Sequence, residues 1–225
     1  MKTTIVSLGG SIIVPEEINA KFLKKFRKLI LSFIKKGNRV VLVCGGGNTN
    51  QEYLTAARRI AKISNRNLDW IGIRATKLNA ELLRAVFGDT AYGEVLMNPT
   101  RKVKTNKKII IASGWKPGWS TDFDAVLWAK TFGAKRVINS SNIYYVYDKD
   151  PRKYKHAKPI KNISWKAFLQ QFGGAWKPRM HKPFDPIASK KAKQQGIMVI
   201  ISKGTDIRNV KRILENKKFK GTVIA

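Results

Sequence analysis

Residues 39–48 read RVVLVCGGGN, a run of apolar residues that ends in three glycines. Similar short apolar runs recur along the chain: TTIVSL (3–8), KIIIAS (108–113), RVINSS (136–141) and IMVIIS (197–202). Runs of this length, separated by helix-length segments, are typical of buried parallel strands that crossover helices join. The sequence therefore predicts an α/β fold.

The intervals between these runs carry apolar residues at spacings of three and four, which indicate helices. The predicted helices cover residues 17–36, 50–63, 75–87, 122–132, 164–172 and 186–195. No internal repeat and no linker rich in Gly, Ser or Pro separates independent domains, although a weak break falls near residue 120. A chain of 225 residues is long enough to bury a full core as one domain.

The chain is strongly basic, with 45 Lys plus Arg against 14 Asp plus Glu and a formal net charge of +31. Charge of this size bears on solubility and partners rather than on fold. The lysines fall in short clusters with apolar residues between them, as in KFLKKFRK (21–28), RKVKTNKK (101–108) and KKAK (190–193). Two interpretations stay open, a solvated basic face and nucleic-acid binding. Because no nucleic-acid motif accompanies the charge, we favour the first and expect no specific nucleic-acid partner.

Cys44 is the only cysteine, which excludes an internal disulfide and suits a reducing compartment. We expect it to be a buried strand residue. The N-terminal apolar run is broken by Gly9-Gly10, and no stretch approaches the roughly 18 apolar residues that span a bilayer. We therefore expect a cytoplasmic protein without a membrane partner. His156 and His181 have no Cys or His near them in sequence, so no metal site of the protein's own is predicted.

Glycine turns follow the first two predicted strands, as Gly9-Gly10-Ser11 and as Gly45-Gly46-Gly47. Glycine lets the backbone approach a ligand, and successive N–H groups at a helix start form a cradle for an anion. In open α/β sheets, ligands lie beyond the carboxyl ends of the strands. Each turn alone is as often a plain tight turn, but two at consecutive strands favour phosphate binding. Neither turn fits the Walker or the dinucleotide-binding pattern.

Several longer segments occur in a familiar order: SLGGSI (7–12), VCGGGN (43–48), LDWIGIRATKLNAELL (68–83), GWKPGWSTD (114–122), NSSNIYYVYDKDPRKY (139–154) and FDPIASKKAKQQGI (184–197). On these segments the whole chain resembles the archaeal-type uridylate kinases of the amino-acid kinase superfamily. The resemblance implies a three-layer αβα sandwich with a mainly parallel central sheet. It also implies one domain over 1–225, with an acceptor-binding half (about 1–120) and an ATP-binding half (about 121–225).

The resemblance further implies transfer of the ATP γ-phosphoryl group to UMP in pyrimidine nucleotide biosynthesis, with Mg²⁺ accompanying ATP, and a homohexamer. It assigns site residues by their matching positions. The implied ATP-binding residues are Gly10, Ser11, Gly47, Ser141, Asn142, Tyr147 and Asp150. The implied UMP-binding residues are Gly46, Asp69, Trp115, Lys116, Pro117, Gly118, Trp119, Ser120 and Thr121.

Two residues are predicted to act in catalysis. Asp122 matches the carboxylate that organises the catalytic groups, and Lys190 is the candidate cation. Each also has a structural interpretation, Asp122 as a first-turn acid that favours the helix dipole and Lys190 as a surface lysine. Ser120 and Thr121 are also candidate N-cap residues. For Asp124 we expect the dipole role alone.

The chain departs from the family pattern at three places. Gln51 stands where an arginine is usual, Tyr144-Tyr145 replaces an Asp-Gly pair, and the loop carries bulky Trp115 and Trp119. These departures keep two alternatives open: a kinase of another small phosphate, such as isopentenyl phosphate, and a non-catalytic nucleotide-binding relative. Isopentenyl phosphate kinases typically carry a first-strand lysine and a histidine after the glycine turn, where this chain has Ser7 and residues 48–51.

Overall fold

The computed structural model describes residues 2–151, 153–173 and 183–225. Seven strands form one sheet in the order β3-β2-β1-β4-β8-β9-β7, and β5 pairs with β6 in a separate two-stranded ribbon. The strand bounds are β1 Thr3–Leu8, β2 Arg39–Cys44, β3 Ile109–Ala112, β4 Arg136–Ser141, β5 Val146–Tyr147, β6 Pro159–Ile160, β7 Asn162–Ile163, β8 Met198–Lys203 and β9 Thr222–Ile224. In the described part of this sheet, β8 and β9 pair antiparallel and the other pairs are parallel. The prediction of a mainly parallel sheet is confirmed.

The helices lie between the strands, as expected for crossover connections. Their bounds are α1 Gly10–Ile13, α2 Ala20–Lys35, α3 Gly47–Ile60, α4 Asn65–Phe87, α5 Thr121–Thr131, α6 Trp165–Phe172, α7 Pro186–Gln194 and α8 Ile207–Leu214. Most begin at a polar residue whose side chain accepts a hydrogen bond from a backbone N–H in the first turn. These N-cap residues are Asn19, Ser64, Ser120, Ser164, Asp185 and Asp206.

Helices cover both faces of the sheet, which explains why the strand sequences are apolar throughout. Alternate residues of β1 point to opposite sides, so Ile5 and Val6 belong to different apolar clusters. The cluster around Val6 is completed by α2, α4 and α8, and the cluster around Ile5 by α5, α6 and α7. This arrangement is the three-layer αβα sandwich that the resemblance implied. Cys44 is buried in the first cluster, as expected.

The centre of the sheet brings the two parts of the chain together. β1 pairs with β2 on one side and with β4 on the other. The turns after the strands bond to neighbouring strand ends: Gly9 N donates to Ser140 O over 3.0 Å, and Gly45 N donates to Leu8 O over 3.0 Å. The predicted ligand-binding turns therefore meet at one edge of the sheet.

The structure differs from the sequence prediction in a few elements. α4 begins at Asn65, ten residues before the predicted start at 75. α8 and the short strands β5, β6, β7 and β9 were not predicted. No helix in the described ranges is both long enough and apolar enough to cross a membrane.

Candidate active site

The glycine turns after β1 and β2 interlock. A Cβ atom on Gly10 would lie 1.9 Å from Gly47 N, and one on Gly45 would lie 2.4 Å from Gly10 N. Gly47 also has a φ of +62°, in the left-handed region that favours glycine. The close contact between the two turns therefore requires glycine at these positions, whether or not a ligand binds there. The predicted ATP contacts of Gly10, Gly47 and the exposed Ser11 remain predictions.

A buried asparagine of α4 fixes the second turn. The Asn79 side-chain amide donates to Gly45 O over 2.8 Å and to Gly46 O over 3.0 Å. Sequence reasoning missed Asn79, although a polar residue on the apolar face of a helix is a signal for such a contact.

Asp122 lies at the centre of the site, in the first turn of α5. Its Oδ1 accepts hydrogen bonds from Asn139 Nδ2 over 2.8 Å and from Ser7 Oγ over 3.3 Å. Its Oδ2 accepts from the backbone N–H of Asp185 over 3.4 Å. One carboxylate is thus joined to β1, β4 and the start of α7.

The pKa of Asp122 is raised to about 7, chiefly because burial disfavours its charged form. The nearby carboxylate of Asp185 raises this pKa further, whereas the hydrogen bonds from Asp185 N, Ser7 and Asn139 lower it. The Asp185 side chain itself accepts from Ala188 N over 2.7 Å and caps α7. A half-buried carboxyl with a perturbed pKa beside a second carboxyl is characteristic of functional sites.

Residues 114–120 form a loop, here called the tryptophan loop, that α4 and α5 hold at three points. The Gly118 N–H donates to Asp69 Oδ2 over 2.8 Å, and the Gly114 N–H donates to Thr76 Oγ1 over 2.9 Å. The Trp115 N–H donates to Asp124 Oδ2 over 3.1 Å. The structure therefore brings Asp69 to the loop, although the two are far apart in sequence.

The aromatic side chains of the tryptophan loop lie against an exposed lysine. Lys116 Nζ lies 4.3 Å from the Trp115 ring centroid and 4.6 Å from that of Trp119, which are cation–π distances. The two indoles are in edge contact at 5.3 Å, and Trp119 also meets Phe123 at 4.0 Å. A pocket of about 240 Å³ adjoins them, and its lining is Gly118, Trp119, Ser120, Phe123, Asp185 and Ile187. This pocket reaches Asp185, whose backbone N–H donates to Asp122.

Asp124 differs from our expectation. The expectation that it serves only the helix dipole is wrong, because its side chain is fully buried and binds the Trp115 N–H. Among the residues that the structure describes, its second oxygen, Oδ1, has no hydrogen-bond partner. Burial raises the pKa of Asp124 to about 7, and the Trp115 N–H and the Lys116 charge oppose this rise. Ser120, in contrast, has its predicted cap role, since its Oγ accepts from Phe123 N over 3.2 Å.

The predicted ATP residues of the second half lie at the end of β4 and beyond. Gly204 N donates to Ser141 O over 2.8 Å, and Ser141 Oγ lies 3.4 Å from Asn142 Oδ1. Tyr147 is half-buried in β5, and the carbonyl of Asp150 accepts from two N–H groups of its own turn. Lys190 is exposed on α7, and within the described residues its ammonium forms no ion pair with Asp122 or Asp185. The structure thus leaves its predicted catalytic role open.

The sequence profile of the Amino acid kinase family matches residues 2–203. The chain belongs to the amino acid kinase family. Uridylate kinases from archaea are similar over nearly the whole chain. The protein from Methanoregula boonei is 32% identical over 100% of this chain and 96% of its own length. The one from Methanobrevibacter smithii is 30% identical over 98% of each chain.

A solved structure gives the same result for the fold. The crystal structure of uridylate kinase from Archaeoglobus fulgidus superposes with a TM-score of 0.85 at 29% identity, covering 100% of both chains. This agreement confirms the amino-acid kinase fold of the present chain.

Tyr144 of this amino acid kinase makes a contact that the sequence did not reveal: its hydroxyl donates to Asp206 Oδ2 over 3.1 Å.

The ranges that the structure describes contain no group of three or more His, Cys, Asp or Glu side chains arranged to hold a metal ion. His156 is exposed in this amino acid kinase, and His181 lies outside the described residues. The carboxylates of Asp122 and Asp185 are the acidic pair that the site offers to a cation.

Proposed function

We propose that this protein is a UMP kinase, which transfers the γ-phosphoryl group of ATP to UMP and releases ADP and UDP. The observation that carries the proposal is the similarity to uridylate kinases at about 30% identity along the full chain, which includes both predicted nucleotide-binding halves. The position of Asp122 between the strand ends and the tryptophan loop supports it. Isopentenyl phosphate is not favoured as the acceptor. The first strand carries Ser7 where isopentenyl phosphate kinases typically have a lysine, and the similar proteins are uridylate kinases.

Phosphoryl transfer depends on positioning and on neutralisation of charge rather than on a covalent catalyst. Asp122 is suited to positioning because bonds from Ser7 and Asn139 fix its Oδ1 relative to two central strands. We assign ATP to the turn residues Gly10, Ser11 and Gly47 and to the β4 side of the site. Lys190 remains the proposed cation, since it is exposed in the second turn of α7, the helix that Asp185 caps.

The residues present fit a magnesium ion that arrives with ATP. Mg²⁺ is usually held by one or two carboxylates together with substrate phosphates. Asp122 and Asp185 supply such a pair, since the Asp185 carboxylate lies close enough to act on the carboxyl group of Asp122. When bound, the ion would neutralise charge on the phosphate oxygens. The protein itself would contribute the position of the Asp122 carboxyl group, which Ser7 and Asn139 fix.

On the acceptor side, we propose that Asp69 and the tryptophan loop bind UMP, with Lys116 and the hydroxyls of Ser120 and Thr121 near the monophosphate. The lining of this proposed UMP site is completed by Gly46, Pro117, Gly118 and the indoles of Trp115 and Trp119. The Gly118 N–H is bonded to Asp69 in the free protein. UMP binding through either group therefore exchanges this bond for a contact with the nucleotide.

Acceptor identity is tested by an ADP-release assay over a panel of nucleoside monophosphates and isopentenyl phosphate. We expect UMP to give the highest kcat/KM. Higher turnover of isopentenyl phosphate would replace the proposal with that activity, and no turnover with any acceptor would indicate a non-catalytic relative.

The Asp69→Asn variant tests the acceptor site itself. We expect a higher KM for UMP and little change for ATP, because the lost charge faces one ligand only. Asparagine still accepts a hydrogen bond from Gly118 N, so the loop contact is retained. Equal changes in both KM values would remove Asp69 from the acceptor site.

We also propose a cytoplasmic homo-oligomer, a hexamer by family. α3 supports an assembly, because none of its residues is buried and it exposes Tyr53 (64%) and Ile60 (83%). Light scattering coupled to size exclusion chromatography measures the molar mass. A monomer across the micromolar range would contradict this part of the proposal.

A further inference from the structure

A groove of about 580 Å³ runs between α2 and α8, and none of its lining residues is assigned to ATP or UMP. Lys25 and Lys28 of α2 line it from one helix, and Arg208 and Lys211 of α8 line it from the other. All four side chains are exposed. The remaining lining residues are Leu29, Ser32, Thr205, Asp206 and Ile207.

The positive charge of this groove is only partly neutralised by the protein. In the described part of the chain, none of the four cations forms an ion pair. Asp206 is the one acid in the described lining, and its charge offsets only one of the four cations. Its carboxylate accepts from Asn209 N over 3.0 Å and from the Tyr144 hydroxyl over 3.1 Å. Closely spaced cations that outnumber the acid beside them create a local potential that attracts an anion.

The charge continues along α2 beyond the groove. Lys21, Lys25, Lys28, Ser32 and Lys35 follow at spacings of four, three, four and three, so they share one face of the helix. From Lys21 to Lys35 this stripe is about 21 Å long at 1.5 Å per residue. A ligand with negative charges repeated along a line matches the stripe better than a single phosphate does.

The lining also indicates what the groove does not recognise. Its apolar members are Leu29 and Ile207, and the described lining contains no aromatic ring on which a base would stack. Lysine, arginine and hydroxyl groups are the usual partners of phosphate oxygens, and such contacts carry no sequence information.

We propose that the α2–α8 groove binds the phosphate backbone of a nucleic-acid strand without selection of base sequence. Successive phosphates of the strand contact the four cations of the groove, which are Lys25, Lys28, Arg208 and Lys211. This site goes beyond the kinase reaction, and it gives a part of the charge of +31 a role. It is compatible with the expectation that the chain has no sequence-specific nucleic-acid partner.

The test uses the full chain and a fluorescent mixed-sequence RNA of about 20 nucleotides without uridine, followed by anisotropy at several salt concentrations. The groove variant combines K25Q, K28Q, R208Q and K211Q. We expect its affinity to fall about tenfold or more, with a shallower dependence of log affinity on log salt. For a single strand, each phosphate that the variant no longer neutralises lowers that slope by about 0.7.

A matched variant controls for net charge. It combines K62Q, R66Q, K102Q and K104Q, four exposed cations outside the groove, and removes the same charge. We expect it to keep the wild-type salt slope, and both variants to keep the wild-type melting temperature and UMP kinase activity. The proposal is overturned if the wild type does not bind, if both variants lose affinity equally, or if saturating ATP and UMP displace the RNA.

Discussion

Asp122 and Asp124 both lie in the first turn of α5, and burial raises the pKa of each to about 7. Asp122 is joined to side chains from two strands at the edge where the glycine turns meet. Asp124 is joined to the backbone of the tryptophan loop. The same residue type therefore serves two purposes, which substitutions can separate.

Asp122→Asn should lower kcat by about 10² or more, in the range seen when a preorganised electrostatic group is lost. The amide keeps the shape of the side chain, so UMP binding should persist. Steady-state kinetics together with calorimetric titration of UMP check both points. A kcat close to that of Asp124→Asn would mean that Asp122 does not serve the reaction.

Asp124 should act through the loop. In Asp124→Asn an oxygen still accepts from the Trp115 N–H, so kcat and the KM for UMP should stay near the wild-type values. Asp124→Ala leaves that N–H without its partner, which typically costs about 1–3 kcal/mol, and should raise the KM for UMP with little effect on kcat. Kinetics of the two variants decide the matter. An unchanged KM in Asp124→Ala would show that the loop is held without this bond.

At the scale of elements, the two interlocked glycine turns fix how α1 and α3 leave the sheet. Gly10→Ala should lower the free energy of unfolding by at least about 2 kcal/mol, because its Cβ would collide with backbone rather than with a movable side chain. Urea unfolding measures the change. Gly93→Ala is the control, since nothing lies within 4 Å of its added Cβ. Similar stabilities of the two variants would refute the steric argument.

The strands were predictable because their signal is local. The apolar runs at 3–8, 39–44 and 136–141 coincide with β1, β2 and β4. The first part of α4 was missed because Trp70, Ile71 and Ile73 favour strands and Gly72 weakens a helix. The signal for α8 was readable, since Asp206 precedes apolar residues at helical spacing.

The site was less predictable than the sheet. Asp122 was identified by resemblance, but its bonds to Ser7 and Asn139 join residues up to 115 positions apart, and only the folded sheet sets that distance. The same holds for the Asp69–Gly118 bond, which joins residues 49 positions apart. Interactions between distant segments have no local pattern in the sequence.

For the whole molecule, the two raised carboxyl pKa values imply that stability falls with rising pH. Their ordinary value is 3.8, so the folded state binds protons more tightly than the unfolded state does. The free energy of unfolding of the ligand-free protein should therefore decrease between about pH 4 and about pH 7.5. Urea unfolding across this range measures it, and Asp122→Asn should show a smaller decrease. Identical slopes in variant and wild type would contradict the assigned pKa.

The central position of β1 has a consequence for synthesis on the ribosome. β1 is made first, yet one of its edges waits for β4, which lies more than a hundred residues later. In a chain that ends before α5, Ile5, Val41 and Ile110 also lack the cover of that helix, because it follows all three strands of the first half. A nascent chain of about 120 residues thus presents an open strand edge and a bare apolar face, features that promote aggregation. A sheet that unites both halves of the chain therefore exposes the half-finished chain to aggregation until the second half is made.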